Sequence, residues 1–176
     1  MPRYYIVAGC NGSGKTTLYN AAPIPKNIPF VNVDKIAFKE LHISNRPNEQ
    51  SRFSEFAKAG KIALNRIDHN IDNEISFCQE TTLNGYRIKK NIVKAKEKGF
   101  EIIFYYVGVD NVEIALERVK MRSSMGGHFI NEDQIRRRFN NEKENIESVF
   151  SYIDAAFFYD NTNQLELFSV FKRDNY

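Results

Sequence analysis

Apolar residues recur along the chain in two rhythms. Short runs rich in β-branched and aromatic residues lie at 4–8 (YYIVA), 30–34 (FVNVD), 75–80 (ISFCQE), 101–109 (EIIFYYVGV) and 155–160 (AAFFYD). Such runs predict strands buried on both faces. Between them the spacing is helical. The segment 48–73 gathers Phe53, Phe56, Ala57, Gly60, Ala63, Leu64, Ile67 and Ile71 on one face, and 84–98 closes at Gly99, a C-cap glycine. A third helix follows Asp110–Asn111 with Val112, Ala115, Leu116 and Val119 inward, and a fourth covers 131–153. The proline-rich stretch 22–29 reads as a loop, and the tail 164–172 as a last strand in a hairpin with 155–160. Strands alternating with helices mean βαβ units and a mainly parallel sheet.

In the fourth helix, at 100° per residue from Ile135, the side chains of Phe139, Ile146, Val149, Phe150 and Ile153 fall within about 60° of it. Glu142 lies inside that stripe, Arg138 at its edge, Arg136 to one side and Arg137 away from it. The run of three arginines is therefore not a uniform basic patch. Arg138 is the one expected to face a cleft or to pair with Glu142.

Composition adds bounds. A chain of 176 residues with 42% apolar and 27% charged residues suits one globular domain over 1–176. A net charge of +3 gives no argument for nucleic acid and is compatible with an anionic small ligand such as a nucleotide. Cys10 and Cys78 make no metal cluster, and His42, His69 and His128 lack metal-site spacing. The lysines at 89, 90, 94, 96 and 98 read as a solvated helix face. The first apolar run is too short for a signal peptide or a membrane span, so no membrane association and a cytoplasmic location are expected.

The candidate chemistry begins at GCNGSGKTT, residues 9–17. It fits G-x-x-x-x-G-K-[ST], placed after a strand and before a helix. Gly9, Gly12 and Gly14 let the backbone approach a polyphosphate, and the N–H groups around Asn11, Ser13, Thr16 and Thr17 point at the anion. Lys15 supplies charge to the β- and γ-phosphates, and the Thr16 hydroxyl suits Mg²⁺, a hard ion that takes oxygen ligands. Cys10 occupies a free position of the motif.

A loop that holds a nucleotide does not define a reaction. Small kinases also need a base or orienting acid at the acceptor hydroxyl. Asp34 ends the second expected strand, where open α/β sheets bind ligands; its other reading is a helix cap for KIAFKEL. Glu80 ends the third expected strand beside Thr81 and Thr82, placed to organise Mg²⁺ through water or to grip a substrate, or again as a cap. Arg118 and Arg122 are four apart on one helix edge, just before MGGH. That pattern suits a lid closing over transferring phosphate, or else a solvated basic face.

Taken in order, AGCNGSGKTT, FVNVDKIA, SFCQETTLNG, ALERVKMR, GGH, IRRRF and FYDN resemble the zeta-toxin family of P-loop kinases, its short stand-alone members in particular. The resemblance runs from Tyr4 to about Asn161. It implies an α/β P-loop NTPase of nucleotide-kinase type, three αβα layers around a mainly parallel five-stranded sheet, and ATP- or GTP-dependent phosphorylation with Mg²⁺. In the better-known members the acceptor is a UDP-N-acetyl amino sugar such as UDP-N-acetylglucosamine, and its phosphorylation blocks cell-wall synthesis. The resemblance also implies the toxin of a toxin–antitoxin pair, with a small helical antitoxin as partner. Asp34 matches the family's acid that activates the sugar hydroxyl, and Glu80 and Thr82 match its substrate-side acid and threonine. Arg118 resembles the helix arginine on the nucleotide phosphates, with Arg122 or Arg138 as the second, lid-type arginine. Two other readings remain open: a kinase of a nucleoside or antibiotic, and a nucleotide-binding regulatory module.

Overall fold

Along the first strand, β1 (Arg3–Ala8), side chains alternate between two apolar faces. Tyr4, Ile6 and Ala8 enter one buried cluster, Tyr5 and Val7 another, and all five are buried. With both faces covered the strand has no need of polar positions, which is why its sequence is a continuous apolar run. The computed structural model describes residues 1–42, 49–125 and 130–174.

Four further strands run parallel to β1: β2 (Phe30–Val31), β3 (Phe77–Thr81), β4 (Glu101–Gly108) and β5 (Ala155–Asp160). The sixth, β6 (Glu166–Lys172), pairs antiparallel with β5, giving a six-stranded sheet in the order β2-β3-β1-β4-β5-β6. The five-stranded parallel core is as expected, and the tail adds the hairpin its alternation indicated. β1 lies between β3 and β4, so the chain reverses its direction of winding at the end of β1, where open sheets leave a ligand crevice.

Helices cover both faces. α1 (Lys15–Ala21) packs Leu18 onto Tyr5 and Val7. Across the sheet lie α3 (Glu49–Asp72), α4 (Tyr86–Glu97) and α7 (Glu142–Phe150), which bury Ala63, Ile67, Ile71, Ile88, Ile92 and Val149. α5 (Val112–Ser124) and α6 (Glu132–Asn140) form a third cluster in which Ala115, Val119 and Ile135 meet Cys10. Among the described residues no helix is long and apolar enough to cross a membrane.

Several boundaries differ from the sequence reading. The expected strand 30–34 stops at Val31, because the Asn32 side chain accepts the Lys35 N–H at 2.8 Å and turns the chain into α2 (Val33–Lys35), which runs on as a π-helical turn over Ile36–Glu40. The expected helix 131–153 is two helices broken at Asn141. On α3 Ala59 is buried alongside Ala63, while Ala57 is exposed; the side chain of Phe53 lies outside the described residues. Gly99 does close α4, at φ 76.

Candidate functional site

The loop from Gly9 to Gly14 joins the end of β1 to α1 at the crevice. Gly12 has φ 84, and a Cβ there would collide with the Ala115 carbonyl of α5. Gly14, at φ 105, caps α1 in the left-handed region, and a Cβ there would strike the Asn161 side chain. Asn161 Nδ2 donates to the Ser13 carbonyl at 2.8 Å, so the segment after β5 grips the loop from the side. Ser13 Oγ and Lys15 Nζ both donate to the Cys10 carbonyl, at 3.0 and 2.8 Å. Asn11, Ser13 and Lys15 are buried, whereas Thr16 and Thr17 are exposed.

Burial pushes the Lys15 ammonium below its ordinary value, and Glu80, Cys10, Asp34 and Glu142 act against that shift. Burial likewise raises Glu80, opposed chiefly by Lys15 and by hydrogen bonding to Asn32. Thr16 Oγ1 lies 3.5 Å from Glu80 Oε2, a pair of oxygens from the loop and the third strand of the kind a hard cation takes. Among the described residues no group of three His, Cys, Asp or Glu could hold a metal ion by itself. Both cysteines are buried and free, and burial pushes the Cys10 thiol up to about 12, which leaves it inert at neutral pH.

Asp34 does not end a strand. It sits in the first turn of α2, whose cap is Asn32. It is half-buried and near enough to act electrostatically on Lys15, Glu80 and Arg138. Arg138 Nη1 donates to Asn11 Oδ1 at 2.6 Å, and burial lowers the guanidinium while Asp34 opposes the shift. Of the alternatives read from the helical wheel it therefore faces the cleft; among the described residues no ion pair joins it to Glu142. Arg136 is held by Glu113 and Glu132, and Arg137 is exposed.

Thr81 Oγ1 accepts the Leu83 N–H at 3.0 Å, and the Thr82 carbonyl accepts from Asn84 Nδ2 at 3.0 Å, so both threonines shape the turn after β3. The Arg118 guanidinium donates to the carbonyls of Asn161 and Thr162 at 2.8 and 2.9 Å. It thereby steadies the segment that holds Ser13. Arg122 is exposed, and no hydrogen bond or ion pair among the described residues involves it. Of the MGGH hinge, Gly126, Gly127 and His128 lie outside the described residues. Lys15, Thr16, Asp34, Glu80, Asn11 and Arg138 thus share one cleft. Asn32 stood in FVNVDKIA and Asn161 in FYDN, but nothing in their spacing tied them to Glu80 or Ser13.

The family model described as Zeta toxin matches residues 1–170. An uncharacterized protein of Haemophilus influenzae is 35% identical over 133 residues, which span 74% of this chain and 88% of that one. Among solved structures, the chain is similar to one from the PezAT chromosomal toxin–antitoxin system of Streptococcus pneumoniae. The TM-score is 0.73 at 18% identity, over 97% of this chain and 71% of that one. It is also similar to AvrRxo1-ORF1:-ORF2 with ATP, at TM-score 0.66 and 16% identity, over 97% of this chain and 58% of that one. Identities this low show a shared kinase-like P-loop fold and no more.

Proposed function

Because the chain belongs to the zeta-toxin family, we propose that it is a nucleotide-dependent kinase that phosphorylates a hydroxyl of a small molecule, a UDP-N-acetyl amino sugar being the first candidate acceptor. The observation that carries this reading is the convergence of Asp34 and Glu80 on the loop lysine, Lys15, with Arg138 bonded to Asn11 of the same loop and near Asp34.

In this reading the loop from Gly9 to Thr17 cradles the phosphates of ATP or GTP, and Lys15 exchanges the Cys10 carbonyl for a phosphate oxygen. Mg²⁺, when bound, spreads the charge that builds on the transferring group. The Thr16 hydroxyl would hold it, with Glu80 behind and most ligands coming from the nucleotide. Asp34 accepts the proton of the acceptor hydroxyl. The acceptor oxygen bonds to the γ-phosphorus as the bond to the β–γ bridging oxygen breaks, and the nucleoside diphosphate leaves with the electron pair. Arg138 is the arginine best placed for the phosphates, and Arg122 is free to join it. Arg118 acts through the loop it braces. Glu80, Thr81 and Thr82 line the acceptor side.

The toxin–antitoxin system to which the Streptococcus pneumoniae structure belongs supports a toxin role here, with a small protein antitoxin as partner. The test is incubation with ATP or GTP, Mg²⁺ and a panel of UDP-sugars, read by mass spectrometry. A phosphorylated UDP-N-acetyl sugar is expected. Nucleotide consumption with every panel member unchanged would point to another acceptor class, and no binding of nucleotide at all would overturn the reading.

A further inference from the structure

Beneath the phosphate loop lies a carboxylate that the proposed reaction does not use. Glu142 is the first residue of α7, directly after the break at Asn141, and is 8% exposed. Its Oε1 is fully buried and has no hydrogen-bond partner. An unpaired carboxylate oxygen in such a place favours the neutral acid. The groups that face it are few. From the phosphate loop come the Cys10 N–H, the Cys10 thiol and the Lys15 ammonium, and from β4 the Tyr106 hydroxyl. One turn along α7, Asn145 Nδ2 is also buried and unpaired.

We propose that Glu142 is a positioning residue that ties proton uptake to nucleotide binding: charged, it holds the empty phosphate loop and Lys15; protonated from solvent, it lets Lys15 go to the phosphates. The inference rests on the nucleotide-binding reading above. Burial pushes the Glu142 carboxyl up to about 7, against the pull of Tyr106, the Cys10 N–H and Lys15. A polyphosphate adds negative charge beside the loop and draws Lys15 toward itself. Both changes remove support from the carboxylate, so the bound state holds the proton more tightly than the empty one. By linkage, nucleotide affinity then falls as pH rises above neutral, by up to about tenfold per pH unit if one full proton is taken up.

The experiment is calorimetric titration of ADP between pH 6 and 8.5, in paired buffers of different ionisation enthalpy, for wild type, Glu142→Gln and Tyr106→Phe. Any titration of ADP itself is common to all three. Glu142→Gln fixes the neutral form, so it should match wild type near pH 6, bind ADP more tightly than wild type at pH 8.5, and take up fewer protons. Tyr106→Phe removes a bond to the charged form and should move the wild-type break to higher pH. Parallel affinity curves for wild type and Glu142→Gln, or a uniform loss at every pH, would overturn the proposal in favour of a purely structural acid. If the glutamine variant does not fold, the position of the Tyr106→Phe break decides: an unshifted break overturns it. Failure of wild type to bind ADP at any pH would instead remove the nucleotide-binding premise.

Discussion

Arg138 donates to the side chain of Asn11 at 2.6 Å, linking α6 to the phosphate loop across 127 positions of sequence. The contact puts a guanidinium at the mouth of the loop, on the same side as Asp34. Arg138→Lys keeps the charge and loses the planar fork. If Arg138 clamps the transferring phosphate, its alanine variant should lose about 10²–10³-fold in turnover, with lysine recovering part of it. Steady-state kinetics on the three proteins checks this; unchanged turnover would reduce Arg138 to a brace for Asn11.

Arg118 and Arg122 share a helix edge but not an environment. Arg118→Ala strips the carbonyls of Asn161 and Thr162 of a charged donor, a loss of roughly 1.5–3 kcal/mol before discounting for partial exposure. Arg122→Ala, at an exposed site, should stay within about 0.5 kcal/mol of wild type. Thermal midpoints separate the two. If Arg122 acts on phosphate, its variant should lower turnover while leaving the midpoint in place.

These two arginines mark the limit of what the sequence made legible. The phosphate loop could be read directly, because its chemistry is written in consecutive residues. The parallel core was equally open, since strands buried on both faces leave long apolar runs. Asp34 lies near Lys15, but not at a strand end: VNVD reads as a strand, but the Asn32 side chain captures the Lys35 N–H and converts its end into a helical turn. The break at Asn141 was hidden because the apolar stripe continues across it from Ile135 to Val149. Arg118's partners lie 43 and 44 residues away, and no local spacing announces them.

Gly12 offers a test of the loop's shape. At φ 84, with the Ala115 carbonyl where a Cβ would stand, Gly12→Ala must push α5 away from the loop. A destabilisation of at least about 1 kcal/mol is expected from the backbone conformation alone. Nucleotide binding should weaken as well, and differential scanning fluorimetry with and without ADP reads both effects. A variant with wild-type stability and affinity would mean that the loop adopts another course.

Glu142 should also leave a mark on stability. Its folded-state value, about 7, stands above the ordinary glutamate value of 4.5. A raised acid stabilises the fold most fully below the unfolded value and loses that contribution as pH rises through the folded one. A tenfold change in proton affinity is worth about 1.4 kcal/mol, so the effect amounts to a few kcal/mol. The thermal midpoint of wild type should therefore fall relative to Glu142→Gln between about pH 4.5 and 7, then hold a constant offset. A constant offset over the whole range would show that Glu142 titrates as an ordinary glutamate.

If phosphoryl transfer depends on the Asp34 carboxylate, Asp34→Asn isolates that dependence. Wild type and Asp34→Asn are measured on matched preparations for ATP affinity and for phosphorylation of a UDP-N-acetyl sugar in the presence of Mg²⁺. The exchange is nearly isosteric, and Asn32 rather than Asp34 caps α2, so fold and nucleotide binding should survive. Loss of a general base typically slows a reaction about 10²–10⁴-fold. The expected result is equal ATP affinity with phosphotransfer reduced by that order. Full transfer by Asp34→Asn would remove Asp34 from the chemistry and move the catalytic acid–base role elsewhere in the cleft, with Glu80 next.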